Sequence, residues 1–211
     1  ELGQFHQAVE CFDKAIELDP QEPDPYVFKG SALHDLEQYN QAVECFDKAI
    51  ELDPQEANTY VQKGDTLSRL EQFRQALECY DKVVELSPQE PGAYLMKGLA
   101  LNELGQFHQA VECFDKAIEL DPQEPDPYVF KGSALHDLEQ YNQAVECFDK
   151  AIELDPQEAN TYVQKGDTLS RLEQFRQALE CYDKVVELSP QEPGAYLMKG
   201  LALNELGQFH Q

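Results

Sequence analysis

Apolar residues recur every three or four positions along this chain, which is the spacing of one face of an α-helix. Within residues 23–56 a first apolar stripe contains Tyr26, Gly30, Leu33 and Leu36. A second stripe in the same segment contains Tyr39, Ala42, Val43, Phe46, Ala49 and Ile50. The following Asp53-Pro54 ends this pattern, because proline disfavours helical geometry in the residue before it. No segment alternates as a strand would, so the pattern predicts two helices of about 12–14 residues joined by a short turn.

The two-stripe pattern returns every 34 residues, and a stricter repeat of 102 residues contains three variants of it. Residues 1–102 are identical to residues 103–204, and ELGQFHQ at 1–7 returns at 205–211. A period of 34 indicates helix–turn–helix units. One such pair cannot bury both of its faces alone, so neighbouring pairs must stack on each other.

This register predicts a single solenoid over residues 1–211 with a half repeat at each end, 1–22 and 193–211. Between them it predicts five complete repeats, 23–56, 57–90, 91–124, 125–158 and 159–192. The error-free copy of 102 residues leaves recent duplication, deliberate engineering and an averaged repeat register open as explanations. The first residue is Glu1 rather than methionine, which favours a fragment of a longer protein.

Eight positions recurring together resemble the tetratricopeptide repeat over the whole chain. In residues 23–56 they are Tyr26, Gly30, Leu33, Tyr39, Ala42, Phe46, Ala49 and Pro54. The departures are mild: Tyr stands where the family often has Trp, and Lys29 stands where Leu is common. The resemblance implies an all-α, right-handed superhelical solenoid of antiparallel helix pairs with about twelve helices. It also implies a groove along the concave wall of the first helices, where such proteins bind peptides.

The resemblance assigns four groove positions to the first helix of each complete repeat and two to that of the last half repeat. In 23–56 and 125–158 they are Val27, Ser31, His34, Asp35, Val129, Ser133, His136 and Asp137. In 57–90 and 159–192 they are Val61, Asp65, Ser68, Arg69, Val163, Asp167, Ser170 and Arg171. In 91–124 and the last half repeat they are Leu95, Leu99, Asn102, Glu103, Leu197 and Leu201. The leucines are expected to be apolar anchors, because exposed apolar patches mark contact surfaces.

The net charge of −25 argues against nucleic acid and against an anionic membrane surface as partners, since both need clustered Lys and Arg. Family members that grip acidic chaperone tails use lysine and asparagine at the first groove positions. Val27 and Ser31 stand there instead, so this clamp is missing. We therefore expect a protein or peptide partner of another kind.

No catalytic motif, metal-ligand spacing or phosphate loop occurs, so we expect no enzyme activity, no metal and no cofactor. Six cysteines stand 34 residues apart, from Cys11 to Cys181. Such isolated thiols predict reduced, packed side chains and a reducing compartment, which favours the cytoplasm. Nothing resembles a signal peptide or an apolar run long enough to span a membrane.

Three functions stay open on these grounds. The first is an interaction scaffold that binds a partner segment in its groove. The second is a structural or engineered scaffold that assembles head to tail through uncapped ends, because solenoids normally cover such ends with polar helices. The end surfaces are predicted to contain Ala8, Val9, Phe12, Ala15, Ile16, Tyr196, Gly200, Leu203 and Leu206. The third is the docking region of a larger enzyme or regulator.

Overall fold

The structure, a computed structural model, describes residues 2–208, and the final residues of the predicted terminal half repeat lie outside this range. Throughout the described residues the chain forms helices joined by short turns. The helices are α1 Leu2–Leu18, α2 Asp24–Asp35, α3 Tyr39–Leu52, α4 Ala57–Arg69, α5 Phe73–Leu86, α6 Pro91–Glu103, α7 Phe107–Leu120, α8 Asp126–Asp137, α9 Tyr141–Leu154, α10 Ala159–Arg171, α11 Phe175–Leu188 and α12 Pro193–Gln208. The all-α prediction and the expected number of helices are confirmed.

Even-numbered helices are the first helices of the predicted repeats, and odd-numbered helices are the second helices. The chain separates into two compact units, Glu1–Gly105 and Gln106–Gln211. Within unit 1 each helix packs on the next along the chain, and the first helices α2 and α4 also touch each other. Unit 2 repeats this pattern, with α8 touching α10. The boundary falls between the two helices of predicted repeat 91–124.

The two helices of a repeat meet at a glycine and an aromatic ring. In unit 1 Gly30 on α2 lies against Phe46 on α3, and Phe46 is fully buried beside Leu33 and Ala42. In unit 2 the equivalent glycine, Gly132, lies against Phe148. Absence of a side chain at the glycine lets the ring approach the helix backbone. Within each unit the predicted apolar stripes therefore form the packed seam between paired helices.

The turn between the paired helices reverses the chain through a residue with left-handed backbone. After α2 the amide of Gln38 donates to the carbonyl of Leu33, and that of Glu37 donates to the carbonyl of His34, both at 2.8 Å. This is a Schellman arrangement, which satisfies carbonyls at the end of the helix. Glu37 has φ 59° there, a conformation that glycine adopts with less strain. Glu71, Glu139, Glu173 and Gly105 occupy equivalent turns with positive φ.

Two polar contacts that the sequence analysis did not predict recur along the first helices. A tyrosine hydroxyl donates to the carbonyl of the proline that closed the preceding helix, as Tyr60 does to Pro54 at 3.3 Å. A lysine one turn further along pairs with an aspartate sixteen residues earlier, as Lys63 does with Asp47 at 2.6 Å. The lysine can therefore stand in the apolar stripe, because its methylene groups cover apolar surface. Its ammonium group pairs with an aspartate of the preceding second helix.

The cysteines lie one to each second helix, as their spacing predicts. Cys45, Cys79, Cys147 and Cys181 are free thiols with little or partial exposure, and Cys11 is exposed. Burial raises the pKa of Cys79 and of Cys181 to about 11, and the nearby lysine ammonium only partly opposes this. These two groups therefore pack as neutral thiols at neutral pH.

Candidate functional site

A cavity of about 450 Å³ opens among helices α2, α4, α5 and α6 of unit 1. Predicted groove residues supply much of its lining, namely His34, Asp65, Ser68, Arg69, Leu99 and Glu103. The remaining lining residues were not predicted, and they are Phe73, Tyr80, Met96 and Ala100. The cavity therefore has an apolar floor and a rim that carries charges of both signs.

Asp65 is held in the cavity wall by the second helix of its own repeat. The Tyr80 hydroxyl donates to Asp65 Oδ1 at 2.8 Å, and Ser68 Oγ lies 3.3 Å from the same hydroxyl. Burial raises the pKa of Tyr80 well above its ordinary value, and the negative charge of Asp65 adds to this effect. Tyr80 therefore stays protonated and donates to one oxygen of Asp65, which leaves the second oxygen available to a ligand.

His34 stands where α2 faces α4, and its hydrogen bond determines which ring nitrogen carries the proton. The Thr66 hydroxyl donates to the carbonyl of Gln62 at 2.7 Å, so it can only accept from His34 Nδ1, which lies 2.8 Å away. His34 is therefore the Nδ1-protonated tautomer when neutral, and Nε2 keeps an acceptor lone pair. The ring packs edge-on against Tyr39 at 5.2 Å between centroids.

A smaller cavity of about 200 Å³ lies beside the first and shares two of its residues, His34 and Asp65. Ser31, Asp35, Phe46 and Gln62 complete its lining. The single hydroxyl hydrogen of Ser31 has two acceptors within reach, the amide oxygen of Gln62 on α4 and the carbonyl of Val27 on α2, and its bond to Gln62 links the two helices. Two more polar residues of the predicted groove, Ser31 and Asp35, thus lie beside the larger cavity.

Unit 2 carries the same arrangement 102 residues later. Its cavity has a volume of about 490 Å³ and is lined by His136, Asp167, Ser170, Arg171, Phe175, Tyr182, Met198, Leu201, Ala202 and Glu205. Tyr182 donates to Asp167 at 2.7 Å, and His136 lies 2.9 Å from the Thr168 hydroxyl. A smaller cavity with Ser133, His136 and Asp137 accompanies it. Each unit therefore holds a complete set of these side chains.

Sequence comparison finds three family profiles along the chain. Profiles described as "Tetratricopeptide repeat" match residues 65–129 and residues 1–22 and 159–192, and one described as "TPR repeat" matches 30–71 and 132–172. Together with the helix pairs above, these matches decide the family. The chain is a tetratricopeptide-repeat protein. Among curated protein sequences, none matches it significantly.

Solved tetratricopeptide structures share its fold. YrrB, described as a TPR protein with an unusual peptide-binding site, is 26% identical with a TM-score of 0.74, covering 91% of this chain and 99% of its own. MamA from Desulfovibrio magneticus RS-1 is 23% identical with a TM-score of 0.76, covering 81% of this chain and 97% of its own. Yeast Tom70 is 24% identical with a TM-score of 0.69, covering 96% of this chain and 43% of its own.

Other predicted groove residues of this tetratricopeptide protein lie outside the cavities described. Val27 and Val129 pack against the apolar clusters around Leu33 and Leu135. Val61, Val163, Leu95 and Leu197 line none of the four cavities. Asn102 has its side-chain oxygen buried, and within residues 2–208 that oxygen has no hydrogen-bond partner. The cavities therefore take in most of the polar groove residues but, among the predicted apolar ones, only Leu99 and Leu201.

The second-helix residues Phe73 and Tyr80 were missed because the sequence analysis assigned second helices to the core. One signal was available. The ring position that holds Phe46 in one repeat holds Tyr80 in the next. A buried tyrosine needs a partner for its hydroxyl, and the predicted groove residues Asp65 and Ser68 supply it.

Some residues of the predicted end surfaces pack against other residues of their own unit. Val9 packs against the cluster of Leu33, Ala42 and Phe46, and Phe12 stacks on Phe28 with ring centroids 5.9 Å apart. On α12, Tyr196 and Leu203 are about half exposed, and Gly200 has no atom within 4 Å of its built β-carbon position. Ala8, Ala15, Ile16 and Leu206 are partly buried.

Residues 2–208 contain neither a cluster of metal-ligating side chains nor a helix suited to crossing a membrane. No group of three or more His, Cys, Asp or Glu side chains converges there as metal ligands would. None of the helices described combines the length and the apolar character that crossing a membrane requires.

Proposed function

We propose that this protein is a non-enzymatic interaction scaffold whose two cavities each bind a peptide or an extended segment of a partner protein. The observation that carries the proposal is the cavity lining, in which apolar Met96 and Leu99 adjoin Asp65, Arg69 and Glu103. Ligand sites typically combine an apolar surface with a few placed polar groups. YrrB, which shares the fold, is described as having a peptide-binding site, and this supports a similar use here.

The charged rim supports the same proposal. Arg69 and Glu103 form no ion pair with each other or with other side chains in the described residues, although lysines of the first and second helices do pair with carboxylates. Charged side chains without an ion-pair partner in the described residues remain available to a bound chain. An extended segment would place backbone donors and acceptors along this rim and one or two side chains on the apolar floor.

Selection from a random dodecapeptide library displayed on phage tests the proposal, with the immobilised 211-residue chain as bait. Peptides enriched in this way should bind the chain in a fluorescence titration. The double variant L99S/L201S, which removes one apolar side chain from each cavity, should weaken them about tenfold or more by loss of buried apolar contact. Helicity measured by circular dichroism should stay nearly unchanged.

The control is L18S, which makes the same chemical change at a leucine 78% exposed on α1 and outside both cavities. It should bind the selected peptides as the parent chain does. No enrichment, or binding that the cavity variant leaves unaffected, would show that the cavities are not the peptide site.

A second candidate is head-to-tail association of the chain, and one observation favours it. In α2 the space over Gly30 is filled by the Phe46 ring, whereas over Gly200 in α12 the equivalent space is empty. Leu197 and Leu201 beside it are 63% and 54% exposed. Helix α1 of a second copy carries Phe12 at the position of Phe46 and could fill this space. The contact would be heterologous and could propagate.

Sedimentation velocity across a range of protein and salt concentrations tests this candidate. Association should strengthen with salt, because salt screens the repulsion between chains of net charge −25. G200E should abolish it, since the added side chain occupies the space and brings charge. The control Q41E adds the same charge at an exposed position on α3, away from both end helices. Equal association of G200E and the parent would contradict this mode of contact.

A further inference from the structure

We propose that the segment recognised at each cavity presents a basic side chain next to an apolar one, and this rests on the function proposed above. The basic group would contact Asp65 and Glu103 in unit 1, and the apolar side chain would lie on Met96 and Leu99. The chain itself would then have two such sites, with Asp167, Glu205, Met198 and Leu201 repeating them in unit 2.

The hydrogen bonds of the cavity determine what it offers to a ligand. Asp65 receives one hydrogen bond from Tyr80 and keeps its second carboxylate oxygen. When neutral, His34 donates its Nδ1–H to the Thr66 hydroxyl, so its other ring nitrogen is an acceptor. Glu103 contributes a second carboxylate at the rim. Asp65, Glu103 and His34 therefore present acceptors to the cavity, which a donor-rich ammonium or guanidinium group matches.

The charges around the cavity also favour a partner with a basic side chain. Two carboxylates and one guanidinium, that of Arg69, line the larger cavity, and Asp35 adds a carboxylate in the smaller one beside it. Arg69 has enough donors to hold a ligand backbone carbonyl without requiring a carboxylate. Beyond the cavity, the net charge of −25 attracts cationic segments and repels acidic ones over the approach distance.

The apolar part of the site limits the spacing of the partner's side chains. Met96 also packs on the cluster of Leu67, Ala76, Tyr80 and Ala100, so its position is set by the core. Leu99 lies one helical turn from Glu103 on α6, which places an apolar contact next to a carboxylate. A basic residue two positions from Leu, Ile, Met or Phe in an extended segment lies on the same face and can meet both at once.

The composition of the selected phage peptides provides the first test. Peptides that bind should be enriched in Lys or Arg two positions from an apolar residue, relative to the unselected library. A selected peptide remade with citrulline for arginine or norleucine for lysine should bind several times more weakly, because it keeps the shape and loses the charge.

The quadruple variant D65N/E103Q/D167N/E205Q provides the second test. Asn still accepts from Tyr80 and Tyr182, so the internal hydrogen bonds are kept while four negative charges are removed. Its control is E44Q/E78Q/E146Q/E180Q, which removes four charges from exposed positions on the second helices outside the cavities. The cavity variant should weaken binding at least about fivefold, with little change in the control.

Each outcome separates the two proposals. Acidic selected peptides, or equal weakening by the cavity variant and its control, would overturn the basic partner while L99S/L201S sensitivity still upheld the cavities as the peptide site. If L99S/L201S leaves binding unchanged, the proposed function itself fails, and the partner chemistry argued from it fails with it.

Discussion

Gly30 lies directly against the ring of Phe46, so that a β-carbon built on this glycine would stand 2.6 Å from Phe46 Cε1. Gly64 has the same relationship with Tyr80, also at 2.6 Å. Both rings are almost fully buried, which leaves them little room to retreat. The glycines of α2 and α4 therefore set how closely these helices approach their paired second helices.

Replacing Gly30 by alanine should destabilise the protein by about 1–3 kcal/mol, because overpacking at the buried ring outweighs the better helix propensity of alanine. Gly200→Ala is the matched control. It lies at the same repeat position with nothing within 4 Å, so it should be neutral or stabilising by up to about 1 kcal/mol. Urea unfolding followed by circular dichroism compares the two, and equal effects would contradict the close contact.

Replacing Glu71 by glycine should stabilise the protein by roughly 1 kcal/mol, because Glu71 has φ 58° in the turn between α4 and α5. The adjacent turn hydrogen bond, from Gln72 N to Leu67 O at 2.9 Å, does not depend on the side chain. Glu78→Gly, on the exposed face of helix α5, should instead destabilise by about 1 kcal/mol. Thermal unfolding midpoints measure both, and a lower midpoint for E71G would refute the strain argument.

The buried thiols should make the fold sensitive to alkali. The pKa of Cys79 and of Cys181 is raised by burial to about 11 in the folded state. A raised pKa means that the folded state holds its proton longer. These thiols therefore make their full contribution to the free energy of unfolding below the unfolded-state pKa of about 8.5. That contribution is lost as pH rises toward 11.

Between pH 8.5 and 11 the free energy of unfolding should fall less in the double variant C79A/C181A than in the parent. The small cavities that the substitutions create lower this free energy by the same amount at every pH, so they do not affect the comparison. C11A changes an exposed cysteine and should retain the parent's alkaline slope. Denaturant unfolding at several pH values provides the comparison. A parent and a double variant with parallel pH profiles would show that burial of these thiols does not contribute.

The two units should bind the same peptide independently and with similar affinity. Their cavities have volumes of about 450 and 490 Å³, and the Tyr80–Asp65 and Tyr182–Asp167 hydrogen bonds measure 2.8 and 2.7 Å. Calorimetry with a selected peptide should give two sites per chain. L99S or L201S alone should weaken one site about tenfold or more and leave the other with unchanged affinity, and weakening of both sites in either variant would contradict independence.

The sequence by itself determined most of the fold through its repeat. The 34-residue period and the two apolar stripes predicted the helix pairs, and the spacing of the cysteines placed one thiol on each second helix. The resemblance to the tetratricopeptide repeat added the prediction that Asp65, Ser68 and His34 line a groove. It could not show that Asp65 is held by Tyr80 or His34 by Thr66, because these bonds join helices whose relative rotation depends on packing.

The segment ELGQFHQ shows what only the tertiary structure decided. At Leu104–Gly105 it forms a turn, with Gly105 at φ 71°, between α6 and α7. Copies of the same letters remain helical at Gly3 in α1 and at Gly207 in α12. Glycine permits either backbone conformation, so the letters alone do not choose. A chain reversal is stabilised only where the helices on both sides of it bury their apolar faces, and that burial is a property of the folded array.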